Sequence, residues 1–491
     1  MVEPAAAGAL YAAEHFLEGA VAFAKGIIHP TLPLRATFTQ ITSAPLPRTC
    51  HTISVVKGRA YIFGGEGPDG QLVDNDMHVV ILPSSGVLEA DYTSIKARPG
   101  PEGGSVPSAR KNHTAAIVGD SIFIYGGEVA DPATEQPGGI VWVFSTTTNT
   151  WTSLSSSPPS DTTPVPSPRS HHTSAASEEP VPQTPKPTPV PLPQQPPDPA
   201  KHVPEPPAPE SWGTIFIYGG MAADEEVLSD LWALDIRSRT WTPLPAPPGP
   251  GRHGASIAVE GSRLYLFGGT NDAKPIPGTM SYLDVSGLWK FAESGGRPGR
   301  TMSSVWEEVA VPEDRGPGAR LGAPLLNVTT GQGRHYLLLV GGQRDPHALR
   351  ETRLDDEGGD APETKAEAAA AAAAFPISTP SSSGFLDDVW VYQLPSAAAS
   401  AASAKDATRN TIKMDTRETH FAEVAYRYVD AAGDVVEERP AALSGSKGMG
   451  ARAGFAAAKG TEVDGASVVV WGGRGVDGEV LGDGWLVTVD R

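Results

Sequence analysis

Residues 214–244 read TIFIYGGMAADEEVLSDLWALDIRSRTWTPL, and this stretch decides the fold. It holds a short apolar strand that ends in Gly219-Gly220, a polar loop, a strand with Trp232, a turn, and a strand with Trp241. A proline-rich segment follows, and then another apolar alternation that ends in Gly268-Gly269. Because the pattern returns to its own beginning, the stretch is one unit of a repeat.

Paired glycines after an apolar run mark each unit. Four short strands with such a pair closing the second, and with aromatic residues in the third and fourth, are typical of a β-propeller blade. Glycine suits this position because the backbone can there adopt conformations that a Cβ forbids. The pattern predicts an all-β, six-bladed propeller. The six pairs are Gly64-Gly65, Gly126-Gly127, Gly219-Gly220, Gly268-Gly269, Gly341-Gly342 and Gly472-Gly473.

The unit resembles a kelch repeat, and the resemblance covers about residues 37–491. It implies a propeller of the kelch and galactose-oxidase type. Tryptophans are predicted in the third strands at Trp142, Trp232, Trp289, Trp390 and Trp485, while His78 takes that place in blade one. Fourth-strand aromatic residues are predicted at Tyr92, Trp151, Trp241, Trp306, Phe421 and, for the last blade, Phe38.

The two ends of the array are incomplete in complementary ways. Residues 36–48 align with residues 240–252, so they form a fourth strand without the three before it. The last unit contains Gly472-Gly473 and Trp485 but lacks its own fourth strand. We therefore predict that the strand around Phe38 completes blade six, which closes the ring and removes the open sheet edges.

Several segments lie outside the repeat pattern. Residues 1–36 are predicted to be a lead-in with an amphipathic helix over 8–28, where apolar residues recur at helical spacing. Residues 155–209, 345–384 and 395–417 are low-complexity insertions, rich in proline and serine or in alanine. Such composition predicts disordered or weakly ordered loops.

Composition narrows the function and the location. A formal net charge of −19 argues against nucleic-acid binding, which needs a positive surface, and gives no help in binding anionic membranes. Cys50 is the one cysteine, so an internal disulfide is impossible. The sequence shows no apolar run of about 20 residues and no signal-type core. We expect a cytoplasmic or nuclear protein that is not secreted.

Arginines precede the predicted first strands, one in each blade. In an antiparallel meander, the start of strand one and the end of strand two lie on one face, so a ring of arginines is expected at one mouth of the channel. The ring could bind a partner or tie each blade to the next. Its members are Arg48, Arg110, Arg169, Arg252, Arg320 and Arg452. In three blades a histidine follows three residues later, at His51, His113 and His172.

Charged residues that do not repeat are better candidates for specific binding. Glu66, Glu128, Arg344 and Arg474 follow glycine pairs and are predicted to line the same loop face. Kelch propellers commonly grip peptide segments of other proteins through such loops. The resemblance therefore implies a binding module or scaffold without a cofactor, which recognises a protein or peptide partner.

An enzyme is the alternative. The architecture is also similar to that of the plant nitrile-specifier proteins, whose resemblance would imply ferrous iron and a small-molecule substrate. Their Glu-x3-Asp-x3-His spacing is missing here. Carboxylate and imidazole ligands suit non-haem iron, and the residues that could bind it in another geometry are Asp74, Asp76, His78, Asp345 and His347.

Overall fold

The structure of the chain is a computed structural model. The helix expected over 8–28, the residues Asp345 and His347, and most of the first two insertions lie outside the residues that it describes. The described residues are 32, 34–41, 45–82, 92–131, 139–155, 164–180, 212–271, 276, 278–293, 305–309, 316–330, 333–344, 384–395, 401–412, 421–429, 435–439, 449–460 and 466–490.

The chain is a six-bladed β-propeller, as the repeats predict. Strand β1 is Arg35–Ile41. Blade one consists of β2 (Thr52–Val56), β3 (Arg59–Phe63), β4 (Met77–Ile81) and β5 (Tyr92–Ile95). Blade two contains β6 (Arg110–Lys111), β7 (Thr114–Val118), β8 (Ser121–Tyr125), β9 (Glu128–Val129), β10 (Val141–Ser145) and β11 (Thr150–Leu154). Blade three consists of β12 (Thr173–Ser177), β13 (Thr214–Tyr218), β14 (Leu231–Asp235) and β15 (Thr240–Leu244).

The second half of the ring repeats this order. Blade four consists of β16 (His253–Glu260), β17 (Arg263–Thr270), β18 (Met280–Asp284) and β19 (Trp306–Val309). Blade five consists of β20 (Arg320–Leu321), β21 (Leu325–Thr330), β22 (Arg334–Arg344), β23 (Phe385–Gln393) and β24 (Phe421–Glu423). Two further strands follow blade five in the sequence, β25 (Ala425–Val429) and β26 (Val435–Arg439). Blade six holds β27 (Arg452–Ala453), β28 (Ala456–Lys459), β29 (Ser467–Gly475) and β30 (Val480–Asp490).

Strand β1 closes the ring, which confirms the prediction from the incomplete ends. It pairs antiparallel with β30, and Phe38 stands opposite Val487. On its other side, β1 pairs in parallel with β25, and the Phe38 ring meets Tyr426 edge-on with the centroids 5.1 Å apart. Blade six is therefore wider than the others, because the chain leaving blade five adds β25 and β26 to it.

Two helices are described, and each corrects an expectation. Trp289 was predicted in the third strand of blade four, but β18 ends at Asp284 and Trp289 lies in helix α1 (Ser286–Glu293). Part of the 395–417 insertion, expected to be weakly ordered, forms helix α2 (Ala401–Thr411). The buried Asp406 carboxylate of α2 is held between Arg334 and Arg409, which anchors the helix on blade five. Neither helix has the length and apolar character that crossing a membrane requires.

The hydrophobic core is divided among the six junctions between neighbouring blades, and each junction has its own apolar cluster. Trp151 is buried between blades one and two, and Trp241 between blades two and three. In blade one, by contrast, the fourth-strand Tyr92 is 40% exposed. Burial of aromatic side chains between neighbouring sheets stabilises the propeller, because each side chain removes a large apolar area from water.

Candidate functional site

The six arginines are buried, with only 2–7% of each residue exposed. Each guanidinium donates to the carbonyl oxygen of the first glycine in the pair of its own blade. The N···O distance is 3.1 Å from Arg48 to Gly64 and 2.8 Å from Arg110 to Gly126. Arg169, Arg252, Arg320 and Arg452 make the same bond to Gly219, Gly268, Gly341 and Gly472. Such burial leaves these side chains little surface for a ligand and makes them part of the framework.

Three of the arginines also bind an aspartate two residues before a third-strand tryptophan. Arg169 lies 2.7 Å from Asp230, whose other oxygen accepts the indole N–H of Trp232 at 2.6 Å. Blades five and six repeat this arrangement with Arg320, Asp388 and Trp390 and with Arg452, Asp483 and Trp485. Paired charges with an added hydrogen bond are the form in which proteins tolerate buried guanidinium groups.

The arginine backbone joins one blade to the one before it. The N–H of Gly65 donates to the carbonyl oxygen of Arg110 at 2.9 Å, and the same bond joins Gly127 to Arg169 and Gly220 to Arg252. Gly64 has a positive φ of 64°, and a Cβ there would lie 2.3 Å from the Arg110 carbonyl oxygen. The glycine pairs are thus required by the close approach of two blades.

A belt of backbone hydrogen bonds links the blades two residues after each arginine. The residue at this position has a φ between 54° and 64° in all six blades. The N–H of Asn112 donates to Cys50, that of His171 to Asn112, that of Gly254 to His171, that of Gly322 to Gly254, and that of Cys50 to Gly454, over 2.7–3.0 Å. Blades one to three therefore carry side chains at this belt, and blades four to six carry glycine.

Buried histidines tie the first three blades together. His113 forms a hydrogen bond to the hydroxyl of Thr52 in the preceding blade, and His172 bonds in the same way to Thr114. Burial, and secondarily the neighbouring arginine, hold the pKa of both imidazoles well below the usual value. These histidines are consequently neutral structural groups.

A cluster of charges lies beside the belt, on the loop face of blades one, two and six. We call Glu66, Lys111, Glu128 and Arg474 the mouth cluster. Lys111 pairs with Glu66 and lies 3.9 Å from Glu128, while Arg474 lies 3.3 Å from Glu66. The side chains are 16–42% exposed, so they contact both one another and solvent. The bond to Glu66 raises the pKa of Lys111, which remains a cation.

Belt residues extend the mouth cluster on the side of blade three. Asn112 donates to Glu128 at 2.9 Å, and His171 Nδ1 lies 3.4 Å from the same carboxylate. Burial lowers the pKa of His171, and Glu128 offsets part of that effect. The His253 ring lies next to His171, with the centroids 6.1 Å apart.

The structure brings together three of the four non-repeating candidates. Glu66, Glu128 and Arg474 meet in the mouth cluster, whereas Arg344 stands opposite Arg320 in blade five. Burial, and then Arg320, lower the pKa of Arg344. Sequence reasoning missed Lys111 and His171. They follow the ring arginines by one and two residues, and that offset was the signal that could have found them.

The three residues of the iron alternative that the structure describes, Asp74, Asp76 and His78, form hydrogen bonds with other side chains. His78 bonds to Asp74 through Nε2 at 2.9 Å and to the Tyr92 hydroxyl through Nδ1 at 2.8 Å. Asp76 binds Ser94 and Lys96 instead. Across the described part of the chain, no group of three histidine, cysteine or acidic side chains is arranged to hold a metal ion.

Comparison with known proteins agrees with this architecture. Residues 35–181 match the family described as the KLHDC2/KLHL20/DRC7 Kelch-repeats domain, and residues 213–248 match the Kelch motif. The chain therefore contains kelch repeats, and its fold is a six-bladed β-propeller. The solved structure of YjhT aligns over 92% of this chain and 99% of its own, at 14% identity and a TM-score of 0.46.

Curated relatives share only part of their length with this chain. The human Rab9 effector protein with kelch motifs is 27% identical over 257 residues, which cover 48% of this chain and 53% of the relative. Human Kelch domain-containing protein 1 is 32% identical over 139 residues, 28% and 29% of the two chains. The N-(sulfonatooxy)prop-2-enimidothioate sulfolyase of Thlaspi arvense is 32% identical over 84 residues, 17% and 21% of the two chains. The chain thus spans about half of the first relative and much less of the others.

Proposed function

We propose that this kelch propeller is a protein-binding module that takes a peptide segment of its partner at the mouth cluster, without a cofactor. The observation that carries the proposal is the linked set of Glu66, Lys111, Glu128 and Arg474, which does not repeat around the ring. The six arginines of the framework, by contrast, are buried and donate to the backbone of their own blades. In the mouth cluster, charges of both signs stay partly open to solvent on the loop face.

The cluster has the chemistry for recognising a peptide that carries charge of both signs. A partner carboxylate can bind Arg474 or Lys111, and a partner ammonium or guanidinium can bind Glu66 or Glu128. Ion pairs in a partly exposed setting are worth little individually, so exchanging them for contacts to a partner costs about 0–1 kcal/mol per pair. Complementary charge then contributes specificity and a faster association rate.

Selection from a displayed library of random peptides tests the proposal. The bait is the full chain, and each enriched peptide is measured again on the triple variant Glu66→Ala, Lys111→Ala, Glu128→Ala. We expect peptides that bind the wild-type chain and lose at least about tenfold in affinity, or 1.4 kcal/mol, on the variant.

A control variant addresses non-specific charge effects. Lys57 and Asp120 form an exposed ion pair 2.5 Å apart at the turns between first and second strands, on the opposite face. Their double alanine variant should bind the peptides as the wild type does. Peptides that bind all three proteins equally would contradict the proposal.

An iron titration tests the enzyme alternative. Ferrous iron added anaerobically should leave the melting temperature of the protein unchanged, because only a ligand that binds the native state raises it. A stoichiometric iron site that stabilises the protein would favour the enzyme alternative.

A further inference from the structure

Blade one departs from the repeat at its third strand. In blades three, five and six, a tryptophan at this position donates to an aspartate that binds the ring arginine. Blade one has His78 there, and the aspartate two residues before it, Asp76, binds Ser94 and Lys96. Blade one therefore keeps the aspartate, replaces the tryptophan with histidine, and gives the aspartate Ser94 and Lys96 as partners.

The replacement is a chain of three hydrogen-bonding side chains. Asp74 Oδ1 lies 2.9 Å from His78 Nε2, and His78 Nδ1 lies 2.8 Å from the Tyr92 hydroxyl. The imidazole and phenol rings are stacked, with an interplanar angle of 12° and centroids 5.9 Å apart. His78 is nearly buried, whereas Tyr92 is 40% exposed. The Tyr92 residue therefore reaches solvent, while His78 is sheltered.

The order of the three groups determines the direction of proton transfer. An ionised Asp74 can only accept, so His78 carries its proton on Nε2 and leaves the Nδ1 lone pair free. Tyr92 must then donate its hydroxyl proton to Nδ1. This is the relationship between nucleophile, general base and orienting carboxylate that the Ser-His-Asp triad uses.

We propose that Tyr92 is a nucleophilic modification site that accepts an acyl group from an activated ester, with His78 as general base and Asp74 as its positioning residue. The Tyr92 oxygen attacks the ester carbonyl carbon and forms a new C–O bond. The phenolic proton passes to His78 Nδ1 and from there to the leaving alcohol as the old C–O bond breaks. The products are acylated Tyr92 and the free alcohol, without oxidation or reduction.

Other charged groups around His78 do not interrupt this relay. Arg48 and Asp76 act on it electrostatically with opposite signs, and Asp76 is itself neutralised by Lys96. Burial is the largest effect on the imidazole and lowers the pKa of His78. The base is consequently in its neutral, proton-accepting form at neutral pH. The site lies on the outer strands of blade one and does not depend on peptide binding at the mouth cluster.

Site-resolved acylation tests the proposal. The full chain is treated with p-nitrophenyl acetate at pH 6–9, and acetylation of each tyrosine is followed by peptide mass spectrometry. We expect Tyr92 to react at least tenfold faster in the wild type than in His78→Gln. Above about pH 7 its rate should level off, because a neutral imidazole takes the proton. A tyrosine that reacts as free phenolate instead gains about tenfold per pH unit up to its pKa near 10.

Two further variants show whether a slower Tyr92 acetylation is specific to the loss of His78. Asp74→Asn keeps the base but not its orientation, so it should slow Tyr92 acetylation and preserve the levelling off. His335→Gln removes a half-exposed histidine bound to Glu260 and should leave Tyr92 unchanged. Melting curves establish that each variant is folded. Equal Tyr92 rates in folded His78→Gln and wild-type protein, or a wild-type rate that keeps rising to pH 9, would overturn the proposal.

Discussion

The imidazole Nε2 of His113 lies 2.9 Å from the hydroxyl of Thr52, and this hydrogen bond joins blade two to blade one. His172 and Thr114 form the same bond between blades three and two, at 2.8 Å. At the closing junction His51 occupies the equivalent place, but Ala456 stands where the threonine would be. His51 is buried, and within the described residues neither of its ring nitrogens has a hydrogen-bond partner.

A hydroxyl group at position 456 should stabilise the propeller. Ala456→Thr gives His51 the partner that His113 and His172 have, and Ala456→Val adds the same bulk without a hydrogen-bonding group. We expect the threonine variant to exceed the valine variant by about 1 kcal/mol in free energy of unfolding, the net worth of a typical buried hydrogen bond. Urea denaturation of the two variants measures the difference; equal midpoints would show that His51 does not reach position 456.

Truncation tests ring closure by β1. Deletion of residues 1–42 removes β1 together with the buried Leu34 and Phe38, and leaves β25 and β30 without the strand between them. Deletion of residues 1–30 removes none of these contacts. Calorimetry should show a large fall in melting temperature for the longer deletion and a small change for the shorter. Equal melting temperatures for the two truncated chains and the full chain would contradict closure.

Trp241 should be a large contributor to the junction of blades two and three. Its side chain is 2% exposed, donates to the Gly139 carbonyl oxygen at 3.1 Å, and packs against Tyr125. We expect Trp241→Ala to cost about 3–5 kcal/mol, the usual range for emptying a buried aromatic site. Trp212→Ala is the control, because that ring lies partly open beneath Arg237. Chemical denaturation that gave similar losses for both would count against the burial of Trp241.

Stability should also depend on the ionisation of Glu423. Burial, with Asp388 as the next cause, raises the pKa of Glu423 from 4.5 to about 7. The folded chain thus keeps a proton that the unfolded chain releases above pH 4.5, so the free energy of unfolding should fall as pH rises from about 4.5 to about 7.

Glu423→Gln removes this titration and should flatten the pH dependence over that window. The control is Glu308→Gln, which changes an exposed carboxylate in the fourth strand of blade four. Denaturation curves at pH 4.5, 6 and 8 provide the comparison. A Glu423→Gln profile parallel to that of the wild type would show that the proton is not retained.

Local pattern was sufficient for the blades. Each glycine pair follows an apolar run, and a backbone contact that requires glycine recurs from blade to blade, as at Gly64 and Arg110. Closure was also predictable, because a lone fourth strand at Phe38 complements a blade that lacks one. Trp289 was misplaced because it is the first tryptophan after Gly268-Gly269, whereas β18 ends before it and helix α1 follows.

Features that depend on contacts distant in sequence escaped prediction. Strand β25 pairs in parallel with β1 across nearly the whole chain, and no local pattern specifies that partner. Helix α2 depends on Asp406 meeting Arg334, which belongs to another strand. Three of the four mouth-cluster residues were predicted, and Lys111 was missed because its contact with Glu66 joins two blades. The repeat pattern predicted the six arginines, but not their burial, because the burial depends on contacts between neighbouring blades.

The most direct test of the central claim compares the affinity of one library-selected peptide for two charge reversals. Lys111→Glu inverts the charge at the centre of the mouth cluster, and Lys57→Glu makes the same change on the opposite face. Fluorescence anisotropy with the labelled peptide should give a Kd at least about tenfold higher for Lys111→Glu, a loss of 1.4 kcal/mol. The Kd for Lys57→Glu should equal that of the wild type. An unchanged Kd for Lys111→Glu, or equal losses for both folded variants, would contradict binding at the mouth cluster.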